Sequence, residues 1–314
     1  MPTQYAAVFP GQGSQSIGML KALSETTPII RQTFEEAGSA LGIDLWGLTQ
    51  EGPDAVLNAT ENTQPVMLAA GVAVWRAWQA RCGTPPAIMA GHSLGEYSAL
   101  VCADALEFTD AVKLVAERGR RMQAATPEGQ GAMAALLGLS DELVQQACAE
   151  AAQGQVVAAV NFNSPGQVVI AGETAAVERA MAAAQALGAK RAVRLPVSVP
   201  SHCALMRPAA ELFRESLAML EIRTPSVPVI HNFDTAVHPE PGAIRVALES
   251  QLYQPVRWVE TVQGMVRSGV THIIEFGPGK VLAGLTKRID KQLDAVCIHD
   301  PASLEAALAV CGGD

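Results

Sequence analysis

The sequence of 314 residues is poor in aromatic side chains and cysteines, and it contains no long apolar run. Phe, Trp and Tyr make up 4% of it, and its six cysteines are scattered without Cys-x-x-Cys or Cys/His zinc spacing. This pattern predicts reduced thiols and no metal site. No segment reaches the roughly eighteen apolar residues that a membrane span needs, and the first residues do not resemble a signal peptide. We therefore expect a cytoplasmic protein without a membrane partner.

Positive charge is also scarce. Lys and Arg number 22 against 31 Asp and Glu, which gives a net charge of −9. Because nucleic-acid binding requires a basic surface field, this balance argues against a nucleic-acid partner. Hydrophobic residues make up 49% of the chain, which is enough for a large core in one big domain or two unequal ones.

The order of apolar runs and turn signals predicts an α/β fold. Strands and helices alternate over most of the chain, which implies a mostly parallel sheet covered on both faces. Residues 127–198 instead predict the order βαββαβ, with a hairpin turn at Ser164-Pro165-Gly166. We therefore predict a large α/β-hydrolase-like domain, residues 1–126 and 199–314, with an inserted ferredoxin-like small domain at residues 127–198. A cleft between two such domains is a common ligand site.

A Gly-x-Ser-x-Gly motif, Gly91-His92-Ser93-Leu94-Gly95, lies between a predicted strand and a predicted helix. That context is typical of a nucleophile elbow, in which the serine hydroxyl projects above the sheet from a strained turn. The N–H of Leu94 would then point at an oxyanion beside Ser93. The alternative from the residues alone is an ordinary glycine-rich turn capped by a serine.

A nucleophilic serine needs a base, and histidine is the usual one. Six histidines are present, and His202 is the best placed of them because it follows the predicted small domain and begins a predicted helix, residues 202–220, with Ser201 as N-cap. Cys203 follows directly, and helical geometry turns it about 100° away, so packing is the expected role. The loop around Gln12 is either a second oxyanion donor or a simple strand–helix turn.

Seven motifs stand in order along the chain: Gly11-Gln12-Gly13-Ser14-Gln15, Gly91-His92-Ser93-Leu94-Gly95-Glu96, Glu117-Arg118-Gly119, Asn161-Phe162-Asn163-Ser164-Pro165-Gly166-Gln167, Pro200-Ser201-His202, Gln251-Leu252-Tyr253 with Pro255-Val256, and Glu275-Phe276-Gly277-Pro278-Gly279. Together they resemble the malonyl-CoA:acyl carrier protein transacylase family of bacterial type II fatty acid synthesis, essentially end to end.

The resemblance implies a role for each matching residue of the reaction centre. Ser93 would be the acylated nucleophile and His202 its base. The backbone N–H groups of Gln12 and Leu94 would form the oxyanion hole. Gln251 would orient His202 through its main-chain carbonyl, in the place where other enzymes use an aspartate.

The resemblance also implies the substrate contacts. Arg118 would bind the free carboxylate of the malonyl group, which suits the planar, bidentate fork of a guanidinium. Asn161 and Asn163 would lie near the cleft on the small-domain side, and His92 is a further candidate for substrate binding. How strictly such a site distinguishes malonyl from substituted malonyl groups stays open.

The implied reaction is ping-pong acyl transfer through a malonyl-serine ester, with malonyl-CoA as substrate and no permanently bound cofactor. The implied partner is acyl carrier protein, held transiently by electrostatic docking, and we expect a monomer. The candidate docking residues are Lys190, Arg191, Arg207, Lys287 and Arg288. Two alternatives remain at this point: a serine hydrolase that uses the same elbow, and a non-catalytic module that binds a carrier protein.

Overall fold

The computed structural model describes residues 4–82, 84–127, 129–197 and 199–311. Its strands are β1 Tyr5–Phe9, β2 Ile88–Gly91, β3 Gly131–Leu137, β4 Val157–Ser164, β5 Gln167–Glu173, β6 Arg191–Arg194, β7 Val229–Ile230, β8 His272–Phe276 and β9 Asp294–Ile298. Its helices are α1 Lys21–Thr26, α2 Ile29–Leu41, α3 Leu45–Glu51, α4 Asp54–Leu57, α5 Thr60–Gln79, α6 Gly95–Cys102, α7 Phe108–Ala124, α8 Asp141–Ala152, α9 Thr174–Ala186, α10 Arg207–Met219, α11 Pro241–Ser250, α12 Trp258–Arg267, α13 Val281–Ile289 and α14 Pro301–Cys311.

One sheet is parallel throughout, with the strand order β7-β2-β1-β8-β9. All five residues of the central strand β1 are buried, as expected for a parallel strand covered by helices on both faces. The register pairs Phe9 at the end of β1 with Gly91 at the end of β2. The loops that follow these two strands therefore leave the sheet side by side. The predicted α/β fold with a mostly parallel sheet is confirmed.

The second sheet is antiparallel, with the strand order β4-β5-β3-β6, and its elements follow the predicted order βαββαβ. Helices α8 and α9 pack on one face, where Ala132, Ala134 and Leu136 of β3 lie in their apolar cluster. Because strand side chains alternate between faces, Met133 lies on the other face, with Val169 and Cys203. This face packs against Cys203, which lies outside the antiparallel sheet.

A backbone link joins the strand β4 to the segment that precedes α12. Val256 pairs with Asn161 in a parallel bridge, donates its N–H to the carbonyl of Val160 and accepts a bond from the N–H of Phe162. We call the antiparallel sheet with α8 and α9 the small unit and the rest the large unit. The domain boundaries proposed from the sequence stay a prediction, and the predicted ends at residues 1, 198 and 314 lie outside the described residues.

The predicted helix start at His202 with Ser201 as N-cap is wrong. His202 has a φ of 65°, residues 204–206 form a short 3-10 turn, and the α-helix begins only at Arg207. Pro208 explains the difference, because a proline is favoured in the first turn of a helix and breaks a helix when it lies deeper inside. Among the described residues, no helix combines the length and apolarity needed to cross a bilayer.

Candidate active site

Ser93 lies on a strained turn between β2 and α6. Its φ is 51°, in the left-handed region that residues with a Cβ rarely adopt. A Cβ on Gly91 would lie 1.9 Å from the backbone of Gly95, and a Cβ on Gly95 would lie 2.0 Å from the carbonyl oxygen of Phe9. Both positions therefore require glycine for the strand, turn and helix to approach each other. This is the predicted elbow geometry.

The hydroxyl of Ser93 lies within hydrogen-bond distance of the imidazole of His202. Ser93 Oγ lies 2.7 Å from His202 Nε2, and His202 Nδ1 lies 2.7 Å from the carbonyl oxygen of Gln251. Because a carbonyl can only accept, Nδ1 carries the proton and Nε2 is left as the acceptor for the serine hydroxyl. The Ser93 hydroxyl is therefore engaged by a base, so the alternative of a serine that merely caps a turn does not describe it.

The imidazole of His202 is held neutral by its surroundings. Burial lowers its pKa to about 3, and the positive charge of Arg118 acts in the same direction. The residue is 3% exposed, and its backbone N–H donates to the carbonyl of Leu252 over 3.0 Å. A neutral, fixed imidazole beside a hydroxyl can remove the hydroxyl proton when the hydroxyl attacks an electrophile.

Arg118 on α7 is a buried guanidinium that is 2% exposed. Its Nη1 donates to Gln64 Oε1 over 2.9 Å, and its Nη2 donates to Gln251 Oε1 over 3.0 Å. Its Nε has no hydrogen-bond partner among the described residues. These two bonds use two of the five N–H groups of the guanidinium. A carboxylate is the ligand whose geometry matches the remaining donors.

Gly119 explains how Arg118 reaches the cleft. A Cβ at this position would lie 2.7 Å from the Cα of Glu61, so the absence of a side chain lets α7 pack closely on the first turn of α5. Thr60, the first residue of α5, donates from its hydroxyl to Gln12 Oε1 over 3.0 Å. The helix that carries the guanidinium and the loop that follows β1 are thereby tied together.

All the predicted site residues except Gln251 line one cleft of about 220 Å³ between the two units. The large unit contributes Gln12, His92, Ser93, Leu94, Arg118 and His202, and the small unit contributes Asn161 and Asn163. Asn163 Oδ1 lies 2.8 Å from His92 Nε2, which is a direct polar contact between the two walls. The remaining lining is largely apolar and includes Met133 and Val169. Gln251 lies behind the cleft, fully buried.

Sequence reasoning missed a buried polar network beneath the elbow. Asn232 accepts from the N–H of Ser93 through Oδ1 and donates to the carbonyl of Gly91 through Nδ2, both over 2.7 Å. Glu96 accepts from Asn232 N and from His231 Nδ1. Two signals were available: a carboxylate within the apolar first turn of α6, and a His-Asn pair at the carboxyl end of a parallel strand, where ligands usually bind.

Cys203 is buried, as its predicted packing role requires. Its thiol donates to the carbonyl of Pro200 over 3.1 Å, and burial raises its pKa to about 11. A thiol in that state is a poor nucleophile at neutral pH. Among the candidate docking residues, Arg288 bonds Gln167 on the small unit over 2.6 Å, and the guanidinium of Arg207 lies over the ring of Tyr253.

Comparison with known proteins places this chain among similar sequences and structures. A family model described as the acyl transferase domain matches residues 7–298. The malonyl CoA-acyl carrier protein transacylase of Salmonella typhimurium is 58% identical over 306 residues, which cover 98% of this chain and 99% of the relative.

Two solved structures extend that comparison. The acyl carrier protein S-malonyltransferase of Vibrio cholerae has a TM-score of 0.95 at 57% identity, and the match covers 97% of this chain and 100% of that one. A malonyl-transacylase in complex with a type II PKS acyl-carrier protein has a TM-score of 0.97 at 56% identity, with 98% and 99% covered.

Proposed function

Because this chain belongs to the malonyl CoA-acyl carrier protein transacylases of the acyl transferase domain family, we propose that Ser93 carries the malonyl group from malonyl-CoA to the phosphopantetheine thiol of an acyl carrier protein. The transfer supplies malonyl thioesters for fatty acid synthesis. The observation that carries the proposal is the continuous bonding from the Gln251 carbonyl through His202 to Ser93 Oγ, with the Arg118 guanidinium at the same cleft.

The first half-reaction forms the malonyl ester. His202 Nε2 removes the proton from Ser93 Oγ as the oxygen attacks the thioester carbonyl. The backbone N–H groups of Gln12 and Leu94, on neighbouring loops at the ends of β1 and β2, stabilise the oxyanion. One such donor is typically worth about 100- to 1000-fold in rate. The carbon–sulfur bond then breaks, and the proton on His202 passes to the sulfur of CoA as it leaves.

The second half-reaction reverses these steps with a different thiol. His202 Nε2 takes the proton of the phosphopantetheine thiol, whose sulfur attacks the ester carbonyl. The carbon–oxygen bond to Ser93 breaks, and the proton returns from His202 to the serine oxygen. The mostly apolar lining, with Met133 and Val169 on the small-unit side, leaves few groups that could activate water, so transfer to the thiol is favoured over hydrolysis.

Selectivity for malonyl over acetyl groups rests on Arg118 in this proposal. A bound malonyl carboxylate would pair with a buried guanidinium whose Nε lacks a partner, whereas an acetyl group would leave that charge unpaired in a desolvated cleft. We propose His92, Asn161 and Asn163 as further substrate contacts, since all three line the cleft.

The proposal also includes the oligomeric state, the substrates, the location and the docking of the carrier protein. All groups named in both half-reactions come from one chain, which supports a monomer without a permanently bound cofactor. Malonyl-CoA and acyl carrier protein are the substrates, and a cytoplasmic location suits both. The carrier protein would dock transiently through basic residues near the cleft, with Lys190, Arg191, Arg207, Lys287 and Arg288 as candidates.

Mass spectrometry after incubation with malonyl-CoA tests the proposal directly. We expect a malonyl adduct on the peptide that contains Ser93, released when a pantetheine thiol is added, and no adduct in Ser93→Ala. Arg118→Ala is expected to lose most of the preference for malonyl over acetyl groups. A serine hydrolase would instead pass the acyl group to water at the same rate with or without the thiol. Failure to label Ser93 would contradict the proposal.

A further inference from the structure

Glu96 is a fully buried carboxylate that neither half-reaction uses. It lies in the first turn of α6, and 0% of the residue is exposed. Its oxygens accept from His231 Nδ1 over 2.7 Å, from Asn232 N over 2.9 Å and from Gln251 Nε2 over 2.8 Å. A buried carboxylate is costly unless hydrogen bonds satisfy it, and these three donors do so. Gln251 in turn accepts from Arg118, which lines the cleft.

We propose that Glu96 is a positioning residue for malonyl recognition, because it fixes the orientation of the Gln251 side-chain amide and thereby the guanidinium of Arg118. This inference rests on the proposed function above. It adds a residue that touches neither the substrate nor the reacting atoms and acts through another side chain.

The orientation of the Gln251 amide follows from which neighbours can donate. Nε2 donates to the carbonyl oxygen of Ser93 over 3.0 Å and to Glu96, while Oε1 accepts from Arg118 Nη2. A carbonyl and a carboxylate only accept, and a guanidinium only donates. A flipped amide would set oxygen against two acceptors and N–H against a donor. The carboxylate of Glu96 is therefore one of the groups that hold the amide oxygen toward Arg118.

The main chain of Gln251 is fixed by other bonds. Gln251 N donates to the carbonyl of Ala247 over 2.9 Å at the end of α11, and the adjacent Leu252 carbonyl accepts from His202 N over 3.0 Å. The carbonyl that orients His202 is therefore held by the backbone, independently of the side-chain amide. Loss of the Glu96 acceptor should consequently disturb Arg118 through the amide, while the carbonyl that orients His202 keeps its own backbone support.

Two substitutions separate an acceptor role from packing and from charge. Glu96→Met keeps the length of the side chain and removes both oxygens. Glu96→Gln removes the charge but keeps one oxygen for Gln251 and Asn232, while its amide N–H faces His231. His231 Nε2 has no hydrogen-bond partner among the described residues, so this ring can move its proton to Nε2 and accept at Nδ1.

The measurement compares two reactions of Ser93 in each variant. One is kcat/KM for malonyl-CoA, and the other is the rate of serine modification by a neutral fluorophosphonate, which needs Ser93 and His202 but no guanidinium. We expect Glu96→Met to lower kcat/KM by about 10-fold or more, mainly through KM, since a hydrogen bond to a charged group is involved. Fluorophosphonate labelling should change by less than about 3-fold, and Glu96→Gln should stay near wild type in both assays.

A matched control variant tests whether a general loss of stability changes the ratio of the two rates. Phe34→Leu removes buried volume in α2, outside the cleft, and should leave the ratio of the two rates unchanged. Equal losses in Glu96→Met and Glu96→Gln would overturn the proposal, because they would point to charge. Parallel losses in both assays would also overturn it, because they would point to general disruption of the elbow.

A second variant tests the same proposal in case the Glu96→Met protein does not fold. Gln251→Met keeps the main-chain carbonyl and removes the amide, so it should reproduce the malonyl-specific loss, and adding Glu96→Met should cost nothing further. An unchanged malonyl rate in Gln251→Met, or additive losses in the double variant, would overturn the proposal. If wild-type Ser93 takes no malonyl group, the proposed function itself fails, whereas a labelled Ser93 with unchanged rate ratios contradicts the positioning role alone.

Discussion

The two units that border the cleft are built from different chemistry. The large unit contributes a strained serine, a histidine with a depressed pKa and the buried groups Glu96 and Arg118. The described part of the small unit buries no charged side chain, and its face toward the cleft is apolar apart from a few polar residues at the end of β4 and the start of β5. This difference indicates that the large unit holds the reacting groups, while the small unit supplies the opposite wall of the cleft.

Topology explains this division. In the parallel sheet, the loops after β1, β2 and β7 leave the same edge, so residues far apart in the chain converge there. In the antiparallel sheet, successive strands run in opposite directions, so their ends are split between two edges. Its broad faces are then the surfaces available for contact, and a wall made of strand side chains is the result.

The largest expected effect is the loss of the base on the large unit. His202→Ala should lower kcat for malonyl transfer by about 10⁴-fold, because Ser93 would lose the acceptor for its proton. The check is the steady-state rate of transfer to a pantetheine thiol. Met133→Ala on the facing wall is the matched change on the small unit, and a comparable fall in kcat there would break the division of labour.

The second effect is a loss of stability when a glycine of the elbow gains a side chain. Gly95→Ala would place a Cβ 2.0 Å from the carbonyl oxygen of Phe9, so we expect a loss of about 4 kcal/mol or more in the free energy of unfolding. Gly166→Ala in the hairpin of the small unit meets nothing closer than 3.8 Å and has a φ of 72°, so only about 1–2 kcal/mol is expected. Urea denaturation of both variants gives the comparison, and equal losses would contradict it.

The sequence predicts the local elements of the fold better than it predicts the contacts between distant segments. The elbow and the βαββαβ order could be predicted because they follow from local patterns of glycine, turn residues and apolar periodicity. The residue types of Glu96, His231 and Asn232 are a signal in the sequence, but their mutual contacts could not be predicted, since the partners lie 135 or more positions apart in the chain. Ser201 favours a helix start at His202, but Pro208 is compatible only with the first turn of a helix, so α10 begins later than the sequence pattern predicts.

The third prediction concerns the pH dependence of stability, which should come from the large unit. Burial lowers the pKa of His202 to about 3, so between pH 6.5 and 3 the unfolded chain takes up a proton that the folded chain refuses. Stability therefore falls as the pH falls in that window, by about 1.4 kcal/mol per pH unit. Replacing His202 by Asn should remove this slope, as measured by urea unfolding at pH 7, 6 and 5.

A second buried group on the large unit changes stability with pH in the opposite direction. Burial raises the pKa of Glu275 to about 7, against the N–H groups of Leu282 and Ala283 that bond its oxygens. Between pH 7 and 4.5 the folded chain holds a proton that the unfolded chain releases, so stability rises as the pH falls. Glu275→Gln should thus steepen the acid loss of stability, and an unchanged slope in both variants would contradict these assignments.

The smallest effect is expected on the small unit, at Asn163. Its side chain lies 2.8 Å from His92 Nε2 at the cleft and touches neither Ser93 nor His202 through a hydrogen bond. Asn163→Ala should raise KM for malonyl-CoA by about 3- to 10-fold with kcat nearly unchanged, since one neutral hydrogen bond is lost from a wall that binds without reacting. Steady-state kinetics separate the two constants. A fall in kcat with unchanged KM would mean that Asn163, acting through His92, influences the turn that holds Ser93, and the small unit would then share in the chemistry.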